Sequence, residues 1–147
     1  MKLLVAGRLA WQYDTIVEKL KTYKYRSDVV LLDYLPEAEL AAVTASAYAM
    51  VFPSFFEGFG VPVIEAMQSN VPVIISKQSG VAEILTHAVK TDFWDIDAMA
   101  DAIYGILNYP ALASMFIRKG KEEVVRLKWD NSAKHVRDIY ERVIWHK

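Results

Sequence analysis

The sequence predicts an α/β domain built around a doubly wound parallel sheet, with a helical C-terminal third. Short runs of consecutive aliphatic residues, typical of strands buried on both faces, alternate along the chain with segments of helical periodicity. Alternating strands and helices form right-handed βαβ units, and such units build a doubly wound sheet. After about residue 90 only the helical pattern remains.

The strands are predicted from four aliphatic runs. They occupy Leu3–Ala6, Val29–Leu32, residues 49–52 and residues 71–75. Each run has four or five residues bounded by polar or turn residues, as expected for a buried parallel strand. A weaker fifth strand is predicted to begin at Ala88 and Val89, and we expect a single domain, 1–147, to contain all five.

The helices are predicted from apolar spacing and from end signals. Asp14 is a candidate N-cap for a first helix through Ile16, Val17 and Leu20. The remaining predicted helices cover residues 37–47, 62–68, 95–107, 111–127 and about 131–144. The last of them is expected to carry Ala133, Val136, Ile139, Tyr140 and Val143 on one face.

Composition limits the class of protein. The 147 residues suffice for one domain with its own core, and the net charge of −1 provides no basic excess for a nucleic-acid partner. Without cysteine, disulfides and thiolate metal sites are excluded. Apolar runs are too short for a signal peptide or a membrane span, so we expect a cytoplasmic protein.

The segment with most chemical information follows the predicted strand at residues 49–52. Gly58 and Gly60 permit backbone conformations and close approaches that a Cβ forbids. Pro62 suits the first helical position, so a helix is expected to start directly after this glycine loop. The free N–H groups of the loop and of the helix start would form an anion site suited to phosphate.

Two carboxylates flank this predicted anion site. Glu57 is expected on the loop and Glu65 in the first helical turn. A carboxylate has two acceptor oxygens, which suit the paired hydroxyls of a sugar or ribose, so a nucleotide-sugar is indicated. Simpler interpretations stay open: Glu65 could merely favour the helix dipole, and Gly58 and Gly60 could form a plain turn. A dinucleotide fingerprint is excluded because Val63 stands where its third glycine is needed.

Residues 57–65 read EGFGVPVIE, and this segment resembles the signature of retaining glycosyltransferases of the GT-B fold, glycosyltransferase family 4 (group 1). Flanking segments resemble the same family: residues 31–36 (LLDYLP), 53–54 (PS), 72–74 (PVI), 80–84 (GVAEI) and 128–130 (KWD). The resemblance spans nearly the whole chain. It implies a Rossmann-like fold corresponding to the C-terminal, donor-binding domain of these enzymes.

The resemblance also implies roles for individual residues. Glu57 would be the catalytic carboxylate that contacts the transferred sugar, together with backbone N–H groups of Gly58, Phe59 and Gly60. The helix start near Val61 would hold the diphosphate, and Glu65 would bind the ribose. The backbone at Tyr34 and Leu35 would contact the base. The implied activity is hexosyl transfer from a UDP-, GDP- or ADP-linked sugar to a glycan or glycolipid in polysaccharide biosynthesis, without metal or other cofactor.

The chain departs from the family pattern in one respect. The family places an Arg and a Lys on the donor diphosphate, in a strand–loop–helix unit before the Leu3–Ala6-type strand, and no matching pair is found here. Arg8 lies at a strand end and matches that pair poorly, although it could contact the phosphates. We therefore expect a fragment without its first strand–helix unit and N-terminal acceptor domain, inactive alone.

That expectation leads to a prediction about surfaces. Apolar residues make up 54% of the chain, and the Leu3–Ala6 strand is predicted to expose an apolar patch. The missing domain or a homodimer would cover such a surface, and the full enzyme could contact a membrane peripherally. Alternatives to an active transferase domain are a non-catalytic nucleotide-sugar-binding or interaction module, a nucleotide-sugar epimerase and a phosphorylase.

Two further patterns receive structural interpretations. Asp95 and Asp97 form an Asp-x-Asp pair, which binds metal in other glycosyltransferases; because it precedes a predicted helix, N-capping is the preferred interpretation. The tryptophans are interpreted as packing residues. They are Trp11, Trp94, Trp129 and Trp145.

Overall fold

The protein alternates strands and helices, as predicted, and ends in three consecutive helices. The structure, a computed structural model, describes residues 1–8 and 13–145. The strands are β1 (Leu3–Ala6), β2 (Val29–Leu32), β3 (Met50–Phe52), β4 (Val73–Ser76) and β5 (Val89–Thr91). The helices are α1 (Tyr13–Thr22), α2 (Glu37–Ala45), α3 (Val61–Gln68), α4 (Val81–Ile84), α5 (Ile96–Asn108), α6 (Pro110–Val124) and α7 (Trp129–Trp145).

The chain divides into two compact units, Met1–Val43 and Thr44–Lys147. In the first unit β1 pairs with β2 in parallel, with Leu3 opposite Val29 and Ala6 opposite Leu32. In the second unit β4 lies between β3 and β5, and both pairings are parallel. The parallel α/β architecture predicted from the alternating patterns is confirmed, and all five predicted strands are present.

The core of the second unit is built around β4. All four residues of β4 are buried, because a strand lies on each side of it and α3 and α5 contact it. Helix α6 packs against α3 and α5. The other large contributors to this core are apolar residues of α3, α4, their flanking loops and the end of α6. They are Val63, Ile64, Met67, Val71, Val81, Leu85 and Val124.

The first unit exposes its strands. Every residue of β1 is exposed, including Leu3, Leu4 and Val5 at 54%, 43% and 43%. Val30 and Leu31 of β2 are exposed as well. The prediction of an apolar patch at the Leu3–Ala6 strand is therefore confirmed.

Helix α7 forms as predicted, but its predicted apolar face is not buried. The helix forms with the expected periodicity, but all of its residues are exposed, including Val136, Ile139 and Tyr140 of the predicted apolar face. Trp94, Trp129 and Trp145 are also exposed, so their interpretation as packing residues is wrong, while Trp11 lies outside the described residues. Periodicity shows which residues share a face, and only the tertiary contacts decide whether that face is covered.

Helix ends agree with local sequence signals in one case and differ in another. The Asp95 carboxylate caps α5, because its Oδ1 accepts a hydrogen bond from the Ala98 N–H at 2.9 Å. The capping interpretation of the Asp95–Asp97 pair is thus confirmed. Asp14 lies inside the first turn of α1 rather than before the helix. The helix dipole still favours a carboxylate in the first turn.

Among the described residues, no helix is long and apolar enough to cross a membrane.

Candidate functional site

The glycine loop between β3 and α3 has the predicted geometry at Gly60 but not at Gly58, where the backbone is not left-handed and a Cβ would meet nothing within 4 Å. Gly60 caps α3 in the left-handed conformation, at φ +70° and ψ +50°, and its carbonyl oxygen accepts from the Val63 N–H at 2.9 Å. A Cβ at this position would lie 2.9 Å from Cβ of Val81. Glycine is therefore required twice here, by the backbone conformation and by the close approach of α4.

A second loop holds the first in place. The Gly80 N–H donates to the carbonyl oxygen of Glu57 at 2.9 Å. A Cβ on Gly80 would collide with the Gly58 carbonyl oxygen and would lie 2.7 Å from that of Glu57. The loops that follow β3 and β4 are thus in direct backbone contact. This contact fixes the position of Glu57 at the carboxyl edge of the sheet.

The two predicted carboxylates lie on either side of the α3 start. Glu57 is half-buried on the loop, and Glu65 is exposed on the helix. Among the residues that the structure describes, neither side chain forms a hydrogen bond or an ion pair. Both carboxylates are therefore available to a ligand.

The structure corrects the position of Glu65. It was expected in the first helical turn, but α3 begins at Val61, so Glu65 is the fifth residue and no acidic residue lies in the first turn. The helix dipole acts mainly within the first turn. A favourable interaction with the helix dipole is therefore a weaker reason for a glutamate at position 65 than the sequence suggested. Val61, predicted at the helix start, is confirmed there and is exposed.

The remaining predicted site residues lie in the first unit. The Arg8 guanidinium carbon lies 5.0 Å from the centre of the Tyr34 ring, a cation–π contact. The Tyr34 N–H donates to Oδ1 of the neighbouring Asp33 at 2.8 Å, which orders the loop after β2. Tyr34 is exposed and Leu35 half-buried. Arg8 and Tyr34 are thus brought together, in a unit separate from that of Glu57 and Glu65.

A polar network that the sequence did not reveal follows β4 and β5. Ser76 Oγ and the Phe93 N–H both donate to Gln78 Oε1, at 2.8 and 3.3 Å. Gln78 Nε2 donates to Asp92 Oδ1 at 2.6 Å, and Lys77 Nζ contacts Asp92 Oδ2 at 3.1 Å. These contacts, with Gln78 first and Lys77 second, hold the pKa of Asp92 below its ordinary value. The network ties the loops after β4 and β5 to each other.

An aromatic cluster, defined here as Phe55, Phe93 and Trp94, lies beside the glycine loop. The Phe93 ring makes edge contacts with Phe55 and Trp94, with ring centres 5.0 and 4.7 Å apart. Phe55 and Trp94 remain 66% and 62% exposed. The sequence missed this cluster because its members are distant in the chain, although the aromatic pairs at 55–56 and 93–94 were visible signals.

Metal ligands do not cluster within the described part of the chain. No group of three or more His, Cys, Asp or Glu side chains there could hold a metal ion.

Comparison with known proteins relates this arrangement to a family. The family model for glycosyl transferases group 1 matches residues 1–123. The chain is 27% identical over 139 residues to O-antigen chain mannosyltransferase B of Escherichia coli, covering 94% of this chain and 36% of that protein. It is 33% identical over 130 residues to O-antigen chain mannosyltransferase RfbU of Salmonella typhimurium, covering 88% of this chain and 35% of that protein.

A solved structure agrees with these matches. Sucrose-phosphate synthase from Thermosynechococcus elongatus superposes with a TM-score of 0.86 at 27% identity, covering 99% of this chain and 39% of that one. The chain thus spans about a third of the length of the two O-antigen mannosyltransferases named above. On the family match and the shared fold, the chain belongs to the group 1 glycosyl transferases, which have the GT-B fold.

Proposed function

We propose that this chain is the nucleotide-sugar-binding domain of a retaining hexosyltransferase. The observation that carries the proposal is the pair of unpaired carboxylates, Glu57 and Glu65, on either side of a glycine-capped helix start. Such a start offers unpaired backbone N–H groups to an anion, and the carboxylates offer acceptors to hydroxyls on both sides of it. A sugar, a diphosphate and a ribose follow one another in this order in a nucleotide-sugar.

Each part of the donor has an assigned partner in this proposal. The backbone N–H groups of residues 58–61 hold the diphosphate and the near side of the sugar. Glu65 accepts hydrogen bonds from the ribose hydroxyls. The backbone at Tyr34 and Leu35 contacts the base, and Arg8 adds a positive charge for the phosphates.

Glu57 acts on the transferred sugar. As the bond between the sugar and the diphosphate breaks, positive charge develops on the sugar, and a nearby carboxylate stabilises it. The Gly80 N–H that binds the Glu57 carbonyl holds the backbone still, so little reorganisation is needed during the reaction. The leaving phosphate oxygen accepts the acceptor's proton, and the new bond forms on the same face of the sugar.

The acceptor is expected to bind elsewhere. Because the chain spans about a third of its relatives' length, we propose that a further domain carries the acceptor and that this chain alone does not transfer sugar. We also propose that the acceptor is a glycan or glycolipid, in line with relatives named as O-antigen chain mannosyltransferases. We propose further that the reaction takes place in the cytoplasm. The homodimer and peripheral membrane contacts remain predictions.

Ligand-observed NMR tests the donor site. Saturation transfer to the ribose protons of UDP, GDP or ADP is expected with the 147-residue chain and is expected to be lost in Glu65→Ala. Glu141→Ala is the matched control, because Glu141 is also an exposed helical glutamate of the second unit. Glu57→Gln should weaken saturation of the sugar protons of a nucleotide-sugar while the ribose signal persists. The absence of binding by all three nucleotides at millimolar concentration would contradict the proposal.

A further inference from the structure

Helix α4 and the residue before it touch the glycine loop directly. The Gly80 N–H donates to the Glu57 carbonyl oxygen at 2.9 Å, and a Cβ on Gly80 would collide with the Gly58 carbonyl oxygen. A Cβ on Gly60 would lie 2.9 Å from Cβ of Val81, the first residue of α4. The position of Glu57 therefore depends on the position of α4.

Helix α4 needs support from other elements because it is so short. It has four residues, fewer than a stable isolated helix requires. Its Val81 and Ala82 are buried, and so is Leu85, which follows it. Just before α4, Ser79 is 1% exposed, and its Oγ donates to the carbonyl oxygen of Ser76 at the end of β4, at 2.9 Å. This hydrogen bond ties the start of α4 to the central strand of the second unit's sheet.

Two cationic side chains bind carbonyl groups at the other end of α4. Lys90 Nζ, from β5, donates to the Ala82 carbonyl oxygen at 2.7 Å. Arg126 Nη2, from the segment after α6, donates to the Ile84 carbonyl oxygen at 3.0 Å. The last carbonyl groups of a helix have no partner within the helix, so a charged donor from elsewhere satisfies them. These bonds hold the end of α4 against β5 and the segment after α6.

A carboxylate of α6 holds the chain directly after α4. Glu123, whose side chain is 5% exposed, accepts from the Thr86 and His87 N–H groups, both at 2.8 Å. The same carboxylate contacts Arg126 at 2.9 Å and so orients the guanidinium that binds Ile84. Helix α4 is therefore held at its start by β4 and at its end by β5 and α6.

We propose that three side chains outside the donor site act through α4 to position Glu57. They are Ser79, Lys90 and Glu123. Each restricts the movement of α4, so that the Gly80 N–H stays within bonding distance of the Glu57 carbonyl oxygen. A fixed position matters because a misplacement of about 1 Å can cost on the order of 100-fold in rate. This inference rests on the proposed function, in which Glu57 contacts the transferred sugar.

Glu65 is held in a different way. It lies on α3, which packs against α6, β3 and β4 and buries Val63 and Met67 in the core. Loosening α4 is therefore expected to displace Glu57 more than Glu65. In the proposed donor site, the contact with the sugar should weaken while the contact with the ribose persists, whereas general destabilisation would weaken both.

Hydrogen exchange followed by nitrogen-15 NMR tests the coupling without a ligand. Lys90→Met keeps the apolar stem and removes the donor, and should accelerate exchange of the Gly80 N–H about tenfold relative to the Val71 N–H. The Val71 N–H is hydrogen-bonded at the end of α3, in the same unit, and serves as the internal reference. Ser79→Ala, which removes the bond nearest to Gly80, should accelerate exchange at least as much. Glu123→Gln, which leaves one backbone donor without an acceptor oxygen, should act in the same direction.

Lys121→Met is the matched control for Lys90→Met. Lys121 Nζ also makes a hydrogen bond within the second unit, at 3.0 Å, but its partner is Asn70 Oδ1 rather than a group of α4. Exchange of the Gly80 N–H should therefore be unchanged in this variant.

Saturation transfer to GDP-mannose and to UDP-glucose tests the consequence for the donor site. In Ser79→Ala and Lys90→Met, saturation of the sugar protons should fall by about half or more relative to that of the ribose protons. In Lys121→Met the ratio of the two signals should match the wild type. Thermal unfolding of each variant verifies that it is folded.

Three results would overturn the positioning role. They are equal acceleration of exchange at Gly80 and Val71, unchanged exchange at Gly80 in both Ser79→Ala and Lys90→Met, and sugar and ribose signals that fall in the same proportion. A wild-type chain that binds neither nucleotide-sugar, with the expected exchange in the variants, would instead overturn the proposed donor site and support the coupling of α4 to Glu57.

Discussion

Strands β1 and β4 have similar sequences and opposite surroundings. Each has four residues, and the two read LLVA and VIIS. Each pairs in parallel with its neighbours, yet every residue of β4 is buried and every residue of β1 is exposed. The difference lies in the neighbours, because β4 has a strand on each side and helices α3 and α5 against it, whereas β1 pairs with β2 alone in the described ladder.

The comparison shows what a short aliphatic run can and cannot predict. It predicts a strand suited to burial on both faces, and in both units a parallel strand forms. It does not predict how much of the surrounding sheet is in place. The stability of the chain should therefore depend on the second unit much more than on the first.

The largest effect is expected from truncating the centre of β4. Ile75 is fully buried, so Ile75→Ala should lower the free energy of unfolding by about 2–5 kcal/mol through lost burial and a residual cavity. Leu4→Ala in β1 removes the same number of carbons from a side chain that is 43% exposed and should cost clearly less. Urea denaturation followed by circular dichroism measures both. Equal losses would show that β1 is covered in solution.

The next effect is expected at the cap of α3. Gly60→Ala forces a Cβ against Val81 and strains a left-handed backbone, and should cost about 1–3 kcal/mol. Gly58→Ala is the control, because a Cβ there meets nothing within 4 Å. Thermal unfolding compares them. Equal stabilities of the Gly60→Ala and Gly58→Ala variants would contradict the tight packing of the loop against α4.

An effect of similar size is expected at the buried carboxylate of α6. Glu123 accepts from the Thr86 and His87 N–H groups, both at 2.8 Å, and also contacts Arg126 at 2.9 Å. Desolvation raises the pKa of Glu123, but the Thr86 and His87 hydrogen bonds outweigh it and hold the pKa below its ordinary value. Glu123→Ala leaves these donors unpaired and should cost about 1–3 kcal/mol at neutral pH.

The pH dependence follows from the sign of that shift. Because the folded-state pKa is the lower one, the contribution is complete above the unfolded-state pKa, about 4.3, and is lost as the pH falls through the folded-state value. Acid unfolding of Glu123→Gln should therefore lack part of the wild-type slope below pH of about 4.3. Glu141→Gln is the control, since Glu141 is an exposed glutamate on another helix, α7. An unchanged acid slope in Glu123→Gln would contradict the assignment.

The smallest effect is expected in α7. Val143 is 65% exposed, so Val143→Ser should change the free energy of unfolding by no more than about 0.5 kcal/mol. Val63→Ser, at a fully buried position of α3, is the contrasting variant and should be far more destabilising. Chemical denaturation measures the free energy of unfolding of both variants. A loss above about 1 kcal/mol for Val143→Ser would show that the apolar face of α7 is covered in solution.

Much of the fold could be predicted from local signals. The strands follow from aliphatic runs, and Asp95 follows from the preference of helix starts for a side-chain acceptor. Helix α4 was missed because four residues are too short for a periodic pattern. Glu65 was expected in the first turn because Pro62 suggested the start of α3, whereas the helix begins one residue earlier, at Val61, after the Gly60 cap.

The candidate site also has parts that the sequence predicted and parts that it did not. The glycine loop, its two carboxylates and the helix that follows are contiguous, so residues 57–65 alone predicted them. The Gly80 contact that fixes Glu57 and the ring contact between Phe55 and Phe93 join residues 23 and 38 positions apart, and no local pattern records them.

By itself the sequence determined the order of strands and helices, the glycine loop and the family that the chain resembles. These features depend on side-chain chemistry and backbone preference over a few residues, which the sequence displays directly. The tertiary structure decided that β4 is buried and β1 exposed, that Trp94 faces solvent, and that three loops share one edge of the sheet. Burial and proximity depend on which distant residues become neighbours, and that is settled only when the chain folds.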